Sequence, residues 1–315
     1  MEANLAQFDL GAIRAEIVRV APEMEGSAIV WLGEGMDSVA VLVGGAFVFR
    51  FSKHVDAANG LRREMALLPR LAPKLSLGIP RFDHVGKHSG TKLPFVGYPL
   101  IRGEPLHRPL SDGLSGPRRE VLFEDFASFL DVVHAFPVEE AVRCGITPGG
   151  DRDDHLEIFR DARSLVFPHL EDAVRRHVES QLEAFLEDDA NFAFAPTLLH
   201  ADLWPEHVLV SRDAGRLAGV IDFGDVSIGD PDHDLAFLAR RLGPDFIAGL
   251  LHHVPHDDPA RLTGKLRAFS LLNAIDDVLI GFDRGDRHLI DSALIDLTEQ
   301  AVSTLQPIKA SRSFG

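Results

Sequence analysis

His200, Asp202, His207 and Asp222 are the residues whose types and spacing could do chemistry. A carboxylate on a loop, with a second carboxylate and an imidazole close by, can hold a divalent cation and leave one base free. Phosphoryl transfer needs such a set: a positioned metal neutralises the phosphates, and a carboxylate orients the attacking hydroxyl. Either aspartate alone reads more readily as a turn residue. It is the set, at this spacing, that points to chemistry.

Something must bring the set together. Thr197-Leu198-Leu199-His200 reads as a buried strand, and Val208-Leu209-Val210 and Leu217-Ala218-Gly219-Val220-Ile221 read as two more, joined through Asp213-Ala214-Gly215. A turn centred near Ala214 pairs His207 with Ile221 and leaves Asp222 at the same end. Opposed hairpin residues have Cβ atoms about 5 Å apart, so His207 and Asp222 converge beside the loop that holds Asp202.

The chain before this island is β-rich. Asp9 is placed to cap a helix with Ile13, Ile17 and Val20 on one face. Strand-like runs follow at 28–32, 39–43 and 46–51, the last two joined by the two-residue hairpin signal Gly44-Gly45. A helix is predicted over 57–71, with Leu61, Met65 and Leu68 on one face. Further extended segments lie near 81–85 and 95–101. In Phe47-Val48-Phe49-Arg50-Phe51 the phenylalanines share one face, with Val48 and Arg50 on the other. Glu64 sits beside the apolar face of the helix, so a charged pair can face inward across strand and helix.

After Gly103 helical patterns dominate, at 121–136, 156–165, 170–186, 235–242, 260–281 and 289–305. The Gly- and Pro-dense stretches 108–117 and 147–151 read as loops, and the tail 309–315 as frayed. The expectation is an α+β chain of two lobes around a cleft: a β-rich N-lobe over 1–101 and a mainly helical C-lobe over 102–315 that contains the hairpin.

His200-Ala201-Asp202-Leu203-Trp204-Pro205-Glu206-His207, then Ile221-Asp222-Phe223-Gly224-Asp225 and Gly229-Asp230-Pro231-Asp232-His233-Asp234-Leu235, resemble the Brenner-type loop and metal-binding motif of the aminoglycoside phosphotransferases and related antibiotic kinases. The 2″-aminoglycoside phosphotransferase branch is the nearest in pattern. The resemblance runs through the N-lobe and thins after about Leu235. It implies a two-lobed protein-kinase-like fold with a catalytic β-hairpin, and ATP or GTP as phosphoryl donor with Mg2+ as cofactor. By motif position, Asp202 is the base or orienting carboxylate, and His207 and Asp222 are magnesium ligands. His200 anchors the loop and Asp234 braces it. Imidazole is an unusual magnesium ligand, so some manganese tolerance is expected.

On the nucleotide side, the resemblance makes Arg50 and Glu64 the phosphate clamp. Arg50 stands where most kinases carry Lys, a change that charge alone understates. Gly33-Glu34-Gly35-Met36-Asp37-Ser38 falls where relatives fold a loop over the phosphates, with Ser38 as a contact. Gly97 to Gly103 matches the interlobe hinge. Pro99 has no N–H to give, so the base edge meets Ile101. Tyr98, the single tyrosine, packs nearby.

The acceptor is expected to be a small hydroxylated molecule, with aminoglycosides first and macrolides as the alternative. A polycation wants acidic surroundings, yet Ala239-Arg240-Arg241-Leu242-Gly243-Pro244 stands where the 2″ branch carries an acidic segment. Asp276, Asp277, Asp283 and Asp286 either compensate or form a solvated acidic face. A catalytically idle kinase-like binding protein is a reading from another class, against which the intact Asp202, His207 and Asp222 weigh. No activation segment lies between Gly224 and Asp230, which disfavours a protein kinase. Walker, zincin and serine-hydrolase motifs are absent.

Composition bounds the rest. In 315 residues, 32 basic against 48 acidic side chains give −16, which argues against nucleic acid or an anionic membrane as partner and is compatible with a cationic acceptor. The single cysteine, Cys144, excludes an intramolecular disulfide and fits a reducing cytoplasm. Met1-Glu2-Ala3-Asn4 does not begin a signal peptide, and no apolar run approaches 18 residues. A cytoplasmic monomer is expected.

Overall fold

The computed structural model describes residues 8–254 and 256–305; Met1 to Asn4 and the tail 309–315 lie outside them. Asp9 accepts from the Gly11 and Ala12 N–H groups and starts α1 (Leu10–Val20). β1 (Ile29–Glu34), β2 (Ser38–Val43), β3 (Phe47–Ser52), β4 (His84–Lys87) and β5 (Pro94–Pro99) form one antiparallel sheet in the order β1-β2-β3-β5-β4. Gly44 and Gly45 take φ values of 58° and 67°, the left-handed pair that a type I′ hairpin turn demands. Phe49, Phe51 and Phe95 bury against Ile13 and Ile17 of α1. On the other face Val48 and Val96 pack with Leu61 of α2 (Val55–Leu71). Alternation along β3 thus decides which helix covers which face.

The extended run near 81 starts its strand later, where the ladder with β5 begins at His84; Arg81 and Asp83 form an exposed local side-chain pair at 3.0 Å. β5 stops at Pro99, short of Ile101: the Leu100 N–H still reaches the Ala46 carbonyl at 2.8 Å, but the Ala46 N–H is spent on the Val43 carbonyl in the turn at 3.1 Å and returns no bond.

The second lobe opens with β6 (Glu104–Pro105) and is otherwise built from α3 (Arg108–Gly113), α4 (Gly116–His134), α5 (Val138–Arg143), α6 (Arg152–Asp161), α7 (Asp172–Glu187), β7 (Thr197–Leu199), β8 (Val208–Ser211), β9 (Arg216–Val220), β10 (Ser227–Gly229), α8 (Ala236–Leu242), α9 (Pro244–Leu250), α10 (Pro259–Arg284) and α11 (Arg287–Leu305). Phe126, Phe129, Phe223 and Phe269 are among the largest side chains of its core.

Residues 108–117, expected to be a loop, instead hold α3 and the start of α4. The prolines there sit in first turns, where a missing N–H costs nothing, and His107 Nδ1 accepts the Leu110 N–H at 3.1 Å. The short helices α5 and α9 carry too few turns to show a period. β7 pairs with β10, while β8 pairs with β9 and β6. A five-stranded antiparallel lobe over a helical lobe with an inserted hairpin is the two-lobed kinase-like α+β architecture. Among the described residues no helix is long and apolar enough to cross a membrane, and Cys144 is buried and free.

Candidate active site

The hairpin delivers His207 beside Asp222. Val208 faces Val220, and one step farther the Ile221 N–H donates to the His207 carbonyl at 2.9 Å. A bulge between Leu209 and Val210 shifts the register by one, so Ser211 faces Arg216 at the turn. The ladder ends there: Asp222 turns left-handed, with φ 66°, and so does Ala201, with φ 62°. Non-glycine residues in this region cost of order 1–3 kcal/mol each and persist where surroundings over-determine them.

Here the surroundings are Asp234 and His200. Asp234, fully buried, accepts the His200 N–H at 3.1 Å and the Ala201 N–H at 2.8 Å, and His134 Nε2 lies 3.0 Å from it. His200 Nε2–H donates to the Ile221 carbonyl at 3.1 Å, and its Nδ1 accepts the Asp202 N–H at 3.3 Å. Burial pushes the His200 pKa down to about 4, so the ring is neutral in this tautomer. It ties the Asp202 loop to the strand that ends in Asp222.

His207 Nδ1–H donates to the Asp202 carbonyl at 2.9 Å, and Nε2 lies 3.7 Å from Asp222 Oδ2. Nδ1 is also 3.3 Å from Asp202 Oδ2, and with Nδ1 engaged Nε2 is left facing Asp222, an arrangement that suits a metal-ligating imidazole. One ligand atom each from Asp202, His207 and Asp222 lies within 4.8 Å of the others. This donor set fits a divalent cation.

The two carboxylates differ electrostatically. Burial pushes the Asp202 pKa up to about 7, reinforced by Asp225 and Asp222 and opposed by His207. Burial also works against the Asp222 charge, but Arg50 and His207 outweigh it and hold that carboxyl below its ordinary range. Pairs pushed apart in this way separate a proton acceptor from a fixed anion.

Arg50 Nη1 donates to Asp222 Oδ1 at 2.7 Å, and Nη2 is ion-paired with Glu64 Oε1. Burial acts against the guanidinium charge, yet Glu64 and Asp222 raise its pKa well above the ordinary value. Arg50, Glu64, Ser38, Asp202, His207 and Asp222 line one cleft of about 640 Å³. Ile101 lies off it, its side chain against Gly78 and Gly219. At that hinge the Leu100 N–H is spent on the Ala46 carbonyl at 2.8 Å and Pro99 has none, which leaves Ile101 as the next donor.

Three other cleft residues, Arg63, Phe237 and Asn273, were not singled out in the sequence. Arg63 of α2 donates from Nη2 to the Gly224 carbonyl at 2.8 Å and so holds the turn after Asp222; its adjacency to Glu64 was the one available hint. Trp204, Phe237 and Asn273 line the far wall with Asp276 and Asp277. Burial pushes the Asp277 pKa up to about 6, against the pull of Arg240. Asp283 is exposed, and Asp286 is exposed at the start of α11, accepting the Leu289 N–H at 3.1 Å. The four acids therefore divide, two on the cleft and two in solvent. Arg240 is ion-paired with Asp296, and Arg240 and Arg241 lie 5.0 and 4.8 Å from the Trp204 ring centroid.

The chain matches the model of the phosphotransferase enzyme family over residues 30–264. It is 30% identical over 216 residues to the viomycin phosphotransferase of Streptomyces vinaceus, across 67% of this chain and 73% of that one. A solved structure of an APH(2″) enzyme with GDP and kanamycin superposes with a TM-score of 0.87 at 29% identity, covering 93% of this chain and 98% of that one. The GDP complex of a wild-type aminoglycoside 2′-phosphotransferase-IIIa gives 0.88 at 28% identity, with the same coverage. A type I macrolide 2′-phosphotransferase, 21% identical with a TM-score of 0.71 over 94% of this chain and 98% of that one, shares the fold.

Proposed function

The chain belongs to the phosphotransferase enzyme family, and from that premise we propose that it transfers the γ-phosphoryl group of ATP or GTP to a hydroxyl of an aminoglycoside-like antibiotic. The observation that carries the reading is the meeting of Asp202, His207 and Asp222 within 4.8 Å, in the cleft that Arg50 and Glu64 also line.

Asp202 orients the acceptor hydroxyl and takes its proton as the oxygen attacks the γ-phosphorus. The bond to the β–γ bridging oxygen breaks, and the nucleoside diphosphate leaves. Arg50, fixed by Glu64, faces the phosphates, with Ser38 as a further contact; the Ile101 backbone at the hinge meets the base. His207 and Asp222 would hold Mg2+, which when bound neutralises phosphate charge. The lobes divide near residues 101 and 102. The protein acts as a monomer in a reducing cytoplasm.

Asp276 and Asp277 on the far wall support a cationic acceptor, in keeping with the kanamycin held by the APH(2″) neighbour. Kinship with a viomycin phosphotransferase supports viomycin as a second candidate. The test is a panel assay with ATP or GTP, magnesium, aminoglycosides, viomycin and a macrolide, read by product mass. One phosphoryl group adds about 80 Da. Addition to aminoglycosides is expected; addition to viomycin alone would transfer the acceptor assignment there, and no addition to any member would remove both.

A further inference from the structure

The segment from Gly229 to Asp234 faces two ways. Its last carboxylate, Asp234, takes the N–H groups of His200 and Ala201. Asp230 and Asp232 turn instead toward α10. There Lys265, 5% exposed, places its ammonium 2.6 Å from Asp230 Oδ2 and 2.5 Å from Asp232 Oδ2. Asp230 and Asp232 are themselves 4% and 8% exposed, and His256 lies 3.3 Å from Asp232.

A buried ammonium between two buried carboxylates is an expensive way to fill a core, since desolvation offsets much of the attraction and apolar side chains often do as well. What ions add is one fixed geometry. The same helix lines the cleft with Asn273, Asp277 and Ile280. One short segment therefore has the Asp202 loop on one side and the far wall of the cleft on the other.

We propose that Lys265 is a positioning residue: by clasping Asp230 and Asp232 it sets the α10 wall at a fixed distance from the loop that aims Asp202, so that an acceptor held on α10 presents its hydroxyl to that carboxylate. The proposal rests on reading the cleft as a phosphotransfer site with its acceptor on α10. It concerns geometry, so it separates from a role in stability alone.

The experiment compares wild type with Lys265→Met and with the triple variant Lys265→Met, Asp230→Asn, Asp232→Asn. In the triple variant no unpaired charge is buried, and Asn keeps the turn cap at position 230. GDP or ADP affinity and stoichiometry, thermal midpoint, kcat and KM for kanamycin, and nucleotide hydrolysis without acceptor are measured. Turnover is referred to nucleotide-competent protein, so a partly folded preparation still reads. The single variant is expected to lose stability, and the triple variant to regain it. Both should bind nucleotide within about two-fold of wild type yet turn over on the order of ten-fold or more slowly, since a misplacement of about 1 Å can cost far more than that. Wild-type kcat in the triple variant would overturn the proposal, as would nucleotide affinity falling in step with turnover. Acceptor-free hydrolysis uses no group held on α10 and should stay within about two-fold of wild type in both variants; a fall in step with turnover would overturn the proposal. If wild type leaves kanamycin unmodified, the aminoglycoside assignment fails, and the same comparison runs with whichever panel member is phosphorylated.

Discussion

Asp202 and Asp222 are the same residue type in opposite electrostatic settings. Asp222 is bonded to Arg50 and kept anionic; Asp202 has no such cation and is raised by burial to about pKa 7. That contrast separates their expected mutational signatures. On the proposed mechanism Asp202→Asn keeps the shape and removes the proton acceptor, so kcat should fall by a factor of about 10² to 10⁴ while nucleotide affinity in titration stays near wild type. Near-normal turnover would take Asp202 out of its role. On the proposed assignment Asp222→Ala removes a metal ligand, and it leaves Arg50 with Glu64 alone, so metal-dependent nucleotide affinity should fall; unchanged affinity would contradict the assignment. Arg50 and Glu64 were legible as a pair from strand alternation and helix phase. Arg63 was not, because its partner is a backbone carbonyl distant in sequence.

At the scale of elements, α2 is fixed directly on the turn that follows Asp222. A Cβ on Gly60 would stand 2.8 Å from the Gly224 carbonyl oxygen, and Arg63 bonds the same atom. Because Glu64 rides on α2, the Arg50–Glu64 pair and Asp222 keep one spacing only while this contact holds. Gly60→Ala should push the helix off the loop, costing about 1–3 kcal/mol as overpacking does, and weaken metal-nucleotide binding. Gly264→Ala, on α10 with nothing near its would-be Cβ, should instead stabilise by about 0.4–1 kcal/mol. Denaturant midpoints for the two variants check the pair; equal shifts would show that helix propensity, not contact with Gly224, governs position 60.

For the whole molecule, buried neutral histidines tie stability to pH. His155 of α6 is 7% exposed among Phe185, Phe192 and Phe269, and burial pushes its pKa down to about 4. The unfolded chain protonates it near 6.5, the native state only near 4, so between these values the unfolded state binds more protons. Its stabilising share is therefore complete above about 6.5 and is lost as pH falls toward 4. Raised carboxyls such as Asp277 act in the opposite sense, so the clean measurement is differential. Between pH 7 and pH 5, His155→Leu should lose about 2 kcal/mol less stability than wild type, read from urea midpoints at both values. Parallel losses would show that His155 titrates normally in the fold.

The amino-acid sequence by itself determined the sheet strands, the long helices, the hairpin that joins His207 to Asp222, and the inward pair Arg50 and Glu64. All of these rest on information between near neighbours: alternation, helical period and turn residues. Tertiary structure alone decided the pairing of β7 with β10, the contact of Gly60 and Arg63 with Gly224, the clasp of Lys265, and the division of the α10 acids between cleft and solvent. These depend on partners far apart along the chain, and a helix does not encode which of its polar faces a distant loop will meet. The residues of the Asp202, His207 and Asp222 cluster were written locally, whereas the α10 wall across the cleft was set by packing.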